Sequence, residues 1–240
     1  LNGRENDMAI LLNEVSPETY NAYLLDYSTG TPGPNVTYFS SDVSLFFVKF
    51  NTKAALRSIT MKFEFIGTDE FDTVRSISDF TAALMKSADF KLPDGFCYHC
   101  MLSKAGKPSR IFDNIYTADF TFVGYRHLPE KSVSPKSGDY IGVDGNYESS
   151  CVLSFRNQSA SSGGRICITS ELFNDVFSFE SFPVSAIKID GIRKTVSDAN
   201  GDNVFGNINL NVFPRLSPGR NKIEYDGVAD LIISYLPIYV

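Results

Sequence analysis

Apolar residues return at every second position along much of this chain. Ile59, Met61, Phe63 and Phe65 hold alternate places in Ile59-Thr60-Met61-Lys62-Phe63-Glu64-Phe65. Phe120 and Phe122 alternate with Thr121 and Val123 between Tyr116 and Tyr125, with Gly124 next in the series. Ala186-Ile187-Lys188-Ile189-Asp190 and Asn207-Ile208-Asn209-Leu210-Asn211-Val212 continue the pattern. Successive side chains of a strand point to opposite faces, so each segment buries one face and wets the other. That suits antiparallel sheets packed on a core from one side.

One segment breaks the period. From Glu70 to Ala88, the residues Phe71, Val74, Ile77, Phe80, Leu84 and Ala88 fall three or four apart, which predicts a helix with these residues on its buried face. Thr68 or Asp69 can cap its start, and Asp69, Glu70 and Asp72 complement the positive end of the helix dipole. Lys91-Leu92-Pro93-Asp94-Gly95 then reads as a turn.

The stretch 129–150 is polar and carries Pro129, Pro135, Gly138, Gly142 and Gly145, so it reads as a linker. It divides the chain into an expected N-terminal domain over 1–130 and a C-terminal β-sandwich over 131–240. Gly163-Gly164 and Asn200-Gly201 read as hairpin turns in the second half. The fold class expected is mainly β in two domains: a sandwich or barrel-like domain with one α-helix, then a sandwich.

Composition narrows the function classes. Lys and Arg total 22 against 28 Asp and Glu, a net charge of -6 without a basic tract, unlike a nucleic-acid binder. The absence of Trp rules out a Trp-based sugar platform, although 20 Phe and 12 Tyr supply other aromatic surface. The opening residues are polar, without a signal-peptide core, and no apolar run approaches the ~18 residues of a membrane helix. The expectation is a chain that neither spans a membrane nor carries a readable export signal. The sequons Asn35-Val36-Thr37 and Asn157-Gln158-Ser159 mean little without such a route.

The candidates for chemistry each meet a plainer explanation. Cys97-Tyr98-His99-Cys100 has redox or zinc-ligand spacing, but a strand follows it, and alternation sends Cys97 and Cys100 to opposite sides. Cys151 and Cys167 do not supply a second close pair. Asp198-Ala199-Asn200-Gly201-Asp202-Asn203 opens like a calcium loop, yet Asn203 stands where Gly belongs and Asn209 where Glu belongs. His99 and His127 lie in no nucleophile motif. Asp69/Glu70 and Asp226/Asp230 flank a helix start and a turn rather than forming a glycosidase dyad. No residue is assigned as catalytic, cofactor-binding or metal-binding, and the chain is expected not to be an enzyme.

Short motifs at both ends carry a resemblance. Leu1-Asn2-Gly3-Arg4 followed by Met8-Ala9-Ile10-Leu11-Leu12, the Thr31-Pro32-Gly33-Pro34 turn, and the helix followed by Leu92-Pro93-Asp94-Gly95 match the N-terminal half of one family. Leu216-Ser217-Pro218-Gly219-Arg220-Asn221-Lys222-Ile223 and the closing Asp230-Leu231-Ile232-Ile233-Ser234-Tyr235-Leu236-Pro237-Ile238-Tyr239 match its C-terminal half. The chain resembles the distal tail protein (Dit) family of siphophages and prophages. That family's opening usually has a Met a few residues earlier and a Phe before Asn-Gly, where this chain opens at Leu1. The resemblance implies a homohexameric ring at the phage tail tip, in the virion, with a galectin-like C-terminal sandwich. It implies a baseplate hub joining the tail tube to the tail-associated lysin and receptor-binding proteins, with no cofactor, no membrane insertion and no specific nucleic-acid binding. The alternative is a carbohydrate-binding module or adhesin-type sandwich. Two further rivals are an enzyme using Cys97 or His99 and another tail-tube or baseplate component.

Overall fold

The alternating segments become strands of three antiparallel sheets and a separate ribbon. The computed structural model describes residues 11–41, 44–54, 56–86, 88–158, 163–180 and 186–240, with the backbone alone for 34–41, 44–54 and 157. The opening motif at 1–10 therefore lies outside the described residues, as does Ser159 of the second sequon. Two compact units divide the chain, Leu1–His127 with Val240, and Leu128–Tyr239.

The first unit runs β1 (Leu11–Leu12), β2 (Ala22–Thr29), β3 (Pro34–Ser41), β4 (Ser44–Ala54), β5 (Arg57–Ile66), α1 (Glu70–Leu84), β6 (Ala88–Lys91), β7 (Cys97–Ala105), β8 (Ser109–Phe112) and β9 (Ile115–His127). Its main sheet has the order β1-β6-β7-β9-β5-β2, with β8 also paired to β9. β3 and β4 form a ribbon of their own, inserted between the paired strands β2 and β5. The buried face holds Ile59, Met61, Phe63 and Phe65 of β5 with Phe120 and Phe122 of β9, as the alternation requires. α1 covers this face with Ile77, Phe80 and Leu84. The Phe80 ring meets Phe63, Phe65 and Phe120 edge-on at 4.9, 5.6 and 5.5 Å. Each such pair adds about 0.5–1.5 kcal/mol beyond its area.

The helix starts where expected but departs from expectation at its C-terminal end and in its rotation. It stops at Leu84, and Ala88 begins β6, where Ala88 and Phe90 point into the core. Its inner face is Thr73, Ser76, Ile77, Phe80 and Leu84, whereas Phe71 and Val74 are exposed. The apolar spacing was wider than one seam: at 3.6 residues per turn, Phe71 lies roughly 160° around the helix from the line of Thr73 and Phe80. Thr73 fixes the rotation, because its hydroxyl bonds Asp69 O and Asn114 O, each at 2.9 Å, and accepts from Gly67 N. Asp69 caps the start, accepting from Asp72 N at 2.8 Å.

The second unit runs β10 (Lys131–Val133), β11 (Tyr140–Val143), β12 (Ser149–Asn157), β13 (Gly164–Thr169), β14 (Asn174–Phe179), β15 (Ala186–Asp190), β16 (Thr195–Asp198), β17 (Ile208–Leu210), β18 (Arg215–Leu216), β19 (Gly219–Asp226) and β20 (Val228–Tyr235). One sheet has the order β10-β20-β12-β15-β16 with β18 on β12; the other has β11-β19-β13-β14-β17. Their inner faces share one core, including Leu153, Ile166, Ile168, Phe177, Ile189, Ile223 and Ile233, so the unit is a β-sandwich. The segment expected as a linker thus contains β10 and β11. Their short length and polar outer positions hid them: β11 buries only Ile141 and Val143. Val212 falls beyond β17, which ends at Leu210.

Gly163-Gly164 is not the hairpin turn its composition suggested. A Cβ on Gly164 would stand 2.5 Å from Asp226 O, and one on Gly227 would stand 2.5 Å from Gly163 O. These glycines let two backbones touch. An ion triad also ties the sheets: Arg215 on β18 bonds Asp175 on β14 at 2.9 Å and Glu148 at 3.0 Å, with Phe173 4.4 Å beneath its guanidinium.

Candidate assembly surfaces

The residues singled out for chemistry are mostly committed to structure. Cys97 is half-buried and Cys100 buried on β7, on opposite faces of the strand. Burial, with Asp89 adding to it, pushes the Cys100 thiol up to about 12. Burial also pushes up the Cys151 thiol, so neither is a nucleophile at neutral pH. Asp89, His99 and Tyr125 form a row across β6, β7 and β9, with His99 Nδ1 on Asp89 Oδ1 and the Tyr125 ring 5.4 Å away. Cys97 stands opposite His127 in the same register. Among the described residues, no group of three or more His, Cys, Asp or Glu side chains is arranged to hold a metal ion.

In the calcium-like loop, Asp198 Oδ1 accepts from Asn200 N at 2.8 Å and Asp202 N at 2.9 Å, so the carboxylate shapes the turn. Asp69 is a helix cap, and Glu70 accepts from the Tyr116 hydroxyl at 2.8 Å. Asp226 pairs with Arg165 and Asp230 with Arg156. These acids carry out separate structural tasks.

What the sequence concealed is apolar surface. On the outer side of α1, Phe71 is 78% exposed and Met85 72%, with Val74 on the same stripe. Arg110 sits 3.8 Å from Glu70, which brings β8 beside the first turn of α1. β8 adds exposed Ile111 and Phe112, the latter 67% exposed. Large apolar side chains left in water on neighbouring elements are a mark of interaction surfaces. Among the described strands β2 stands last in the order of the main sheet, with Tyr23 and Leu25 exposed. Thr73, with three buried polar contacts to make, was the available sign that the helix turns Phe71 outward.

No protein-family model matches the chain, and no curated protein matches it. Solved structures do. The crystal structure of the SPP1 Dit (gp 19.1) protein, described as a paradigm of hub adsorption apparatus in phages infecting Gram-positive hosts, superposes with a TM-score of 0.76. The match covers 97% of this chain and 99% of that one at 10% identity. This chain has the Dit fold. The phage P2 baseplate in its activated conformation with Ca matches at TM-score 0.55 and 11% identity over 90% of each chain. The same baseplate with Sr matches at 0.56 and 10%, again over 90% of each. At 10–11% identity the likeness is one of fold, not of shared residues.

Proposed function

We propose that this chain is a structural hub protein of a phage tail tip: a virion component that closes into a homohexameric ring and joins the tail tube to the baseplate. The observation that carries the reading is the superposition on the SPP1 hub protein over nearly the full length of both chains. The role asks for no catalysis and no cofactor. Its partners are further copies of itself, the tail tube protein above, and the tail-associated lysin and receptor-binding proteins below. The C-terminal sandwich corresponds to the galectin-like domain of the family.

The surface chemistry supports assembly. A ring is a head-to-tail contact that closes by rotation, so each subunit presents two different patches. The exposed Phe71 on α1, Phe112 on β8 and Tyr23 on β2 are suitable surfaces, because exposed rings supply interface anchors. The net charge of -6 suits a channel that passes DNA without holding it, since retention requires phosphate neutralisation.

Light scattering on the purified chain, followed by negative-stain imaging, tests this. The expected species is about 160 kDa, six copies of a 26.6 kDa chain, seen as rings with a central hole. A chain that stays monomeric at high concentration, alone and with its tail tube protein, would overturn the ring.

A further inference from the structure

The core face of the first unit ends in charge. Ile59 of β5 and Phe122 of β9 are buried in the inward rows of their strands. The next inward place on β5 is Arg57, and on β9 it is Gly124 and then Arg126. Arg57 stands opposite Gly124, which has no side chain. Arg126 is therefore its diagonal neighbour across the strands, about 7–8 Å away and within reach of a long side chain. Tyr98 of β7 stands opposite Arg126.

Arg57 is 7% exposed, and its Nη1 donates to Gly30 O at 2.7 Å. Arg126 is half-buried, with its guanidinium 4.4 Å over the Phe96 ring. The Nε atoms of both are buried without a hydrogen-bond partner, and among the described residues no other buried side-chain nitrogen or oxygen is in that condition. Arg75, Arg110, Arg156, Arg165 and Arg215 each face a carboxylate, at 2.8 to 3.7 Å. Among the described residues, Arg57 and Arg126 form no such pair. Asp94 is the acid of this corner, and its oxygens are engaged: Oδ1 accepts from Phe96 N at 3.0 Å and Oδ2 from the Tyr98 hydroxyl at 2.5 Å. Burial, and the charge of Arg126 beside it, hold the Arg57 guanidinium below its usual range, against the opposing pull of Tyr98 and Asp94.

One carboxylate for two cations leaves the corner positive. Buried charge without a partner is strongly destabilising, and orphaned buried donors in a native protein point to an ion or partner that completes them. The chemistry that completes two guanidiniums is an oxyanion. Each presents a planar fork of N–H donors that matches two oxygens of a carboxylate, phosphate or sulfate. A neutral ligand would leave the charge uncompensated, and a cation would be repelled.

We infer that Arg57 and Arg126 form a binding site for one oxyanion group. Its source is either a free phosphate-type ion or the carboxylate of an Asp or Glu side chain from a second copy of the chain. The second source rests on the ring proposed above, and the first does not. The half-buried Arg126 is the side from which the group enters.

The test titrates inorganic phosphate against chloride at fixed ionic strength, using the full chain both dispersed at low concentration and assembled at high concentration. Calorimetry reads binding, and circular dichroism reads the thermal midpoint. The dispersed chain is expected to bind phosphate with a Kd of about 1 mM or tighter. Arg126→Gln should weaken that binding about tenfold or more, and Arg57→Lys, which keeps the charge but loses the fork, severalfold. The gap in midpoint between the wild-type chain and Arg126→Gln should widen as phosphate replaces chloride. An arginine that only packs on Phe96 gives the same gap in both buffers. If Arg126→Gln does not fold, Arg57→Lys carries the comparison. Phosphate binding that persists in the assembled chain assigns the site to a free ion. Binding lost on assembly, with Arg126→Gln shifted toward smaller mass, assigns it to a second copy's carboxylate. A dispersed chain that binds no phosphate, or variants that bind it as well as the wild-type chain does, overturns the inference. A chain that stays monomeric and binds phosphate leaves this inference standing while the ring fails.

Discussion

Asn221 shows how much of a turn one buried side chain can hold. It is fully buried, and its Oδ1 accepts from Ser217 N at 2.9 Å and from the Ser217 hydroxyl at 3.1 Å. Its Nδ2 donates to Ser217 O at 2.8 Å and Gly219 O at 3.3 Å. Gly219 takes φ +84°, which permits the reversal. Asn221→Ala leaves the buried Ser217 amide without its partner, so urea unfolding should show a loss of about 2 kcal/mol or more. A loss under about 0.5 kcal/mol, the usual scale of surface changes, would deny the side chain this role. The cysteines make a second residue-scale prediction. Thiol reagents at pH 8 should label half-buried Cys97 and Cys167 but spare buried Cys100 and Cys151 until the chain unfolds. Because the folded state raises the Cys100 pKa, its contribution to stability is intact below the ordinary thiol value of about 8.5 and erodes as pH rises toward about 12. Raised Tyr98, Tyr125 and Tyr235 act in the same direction. The urea midpoint should therefore hold from pH 6 to 8 and fall above 9, less steeply in a Cys100→Ala/Cys151→Ala variant.

At the scale of the element, α1 has two faces with opposite duties. Phe80 is wholly buried among four rings, those of Tyr20, Phe63, Phe65 and Phe120, and Phe80→Ala should cost about 3–5 kcal/mol of folding stability. Phe71→Ser, on the outer stripe, should change unfolding by less than about 0.5 kcal/mol yet shift the assembled species toward smaller mass in light scattering. Equal unfolding losses for the two variants would mean the helix faces are misassigned. Helix existence and its cap were legible, since Asp69 and the following acids mark a start in sequence alone. Its rotation was not, because the apolar series from Phe71 to Ala88 mixes the core seam, an exposed stripe and the first residue of β6.

At the scale of the molecule, each unit owns a separate core, Leu12 to Phe122 in the first and Ile141 to Tyr235 in the second. No residue of one cluster is needed to complete the other. A fragment of residues 128–240 should then fold by itself, giving a dispersed amide NMR spectrum and a single cooperative urea transition. A collapsed or disordered spectrum would show that the sandwich depends on the first unit.

Sequence by itself determined the secondary-structure class, because a period of two and a capped helix are local properties of neighbouring residues. β5 and β9 bury the residues that their alternation marked, and the Gly219–Asn221 turn forms from groups four residues apart. Only tertiary structure decided which apolar residues stay in water. Phe71, Phe112 and Phe205 look like core residues in sequence, and their exposure follows from the Thr73 anchor, the β8 pairing with β9 and the edge position of β17. Short polar strands such as β10 and β11 were likewise invisible, since a half-buried Val133 in one and two buried side chains in the other give no period to read. Pairing partners far along the chain supply what those segments lack: β20 for one and β19 for the other.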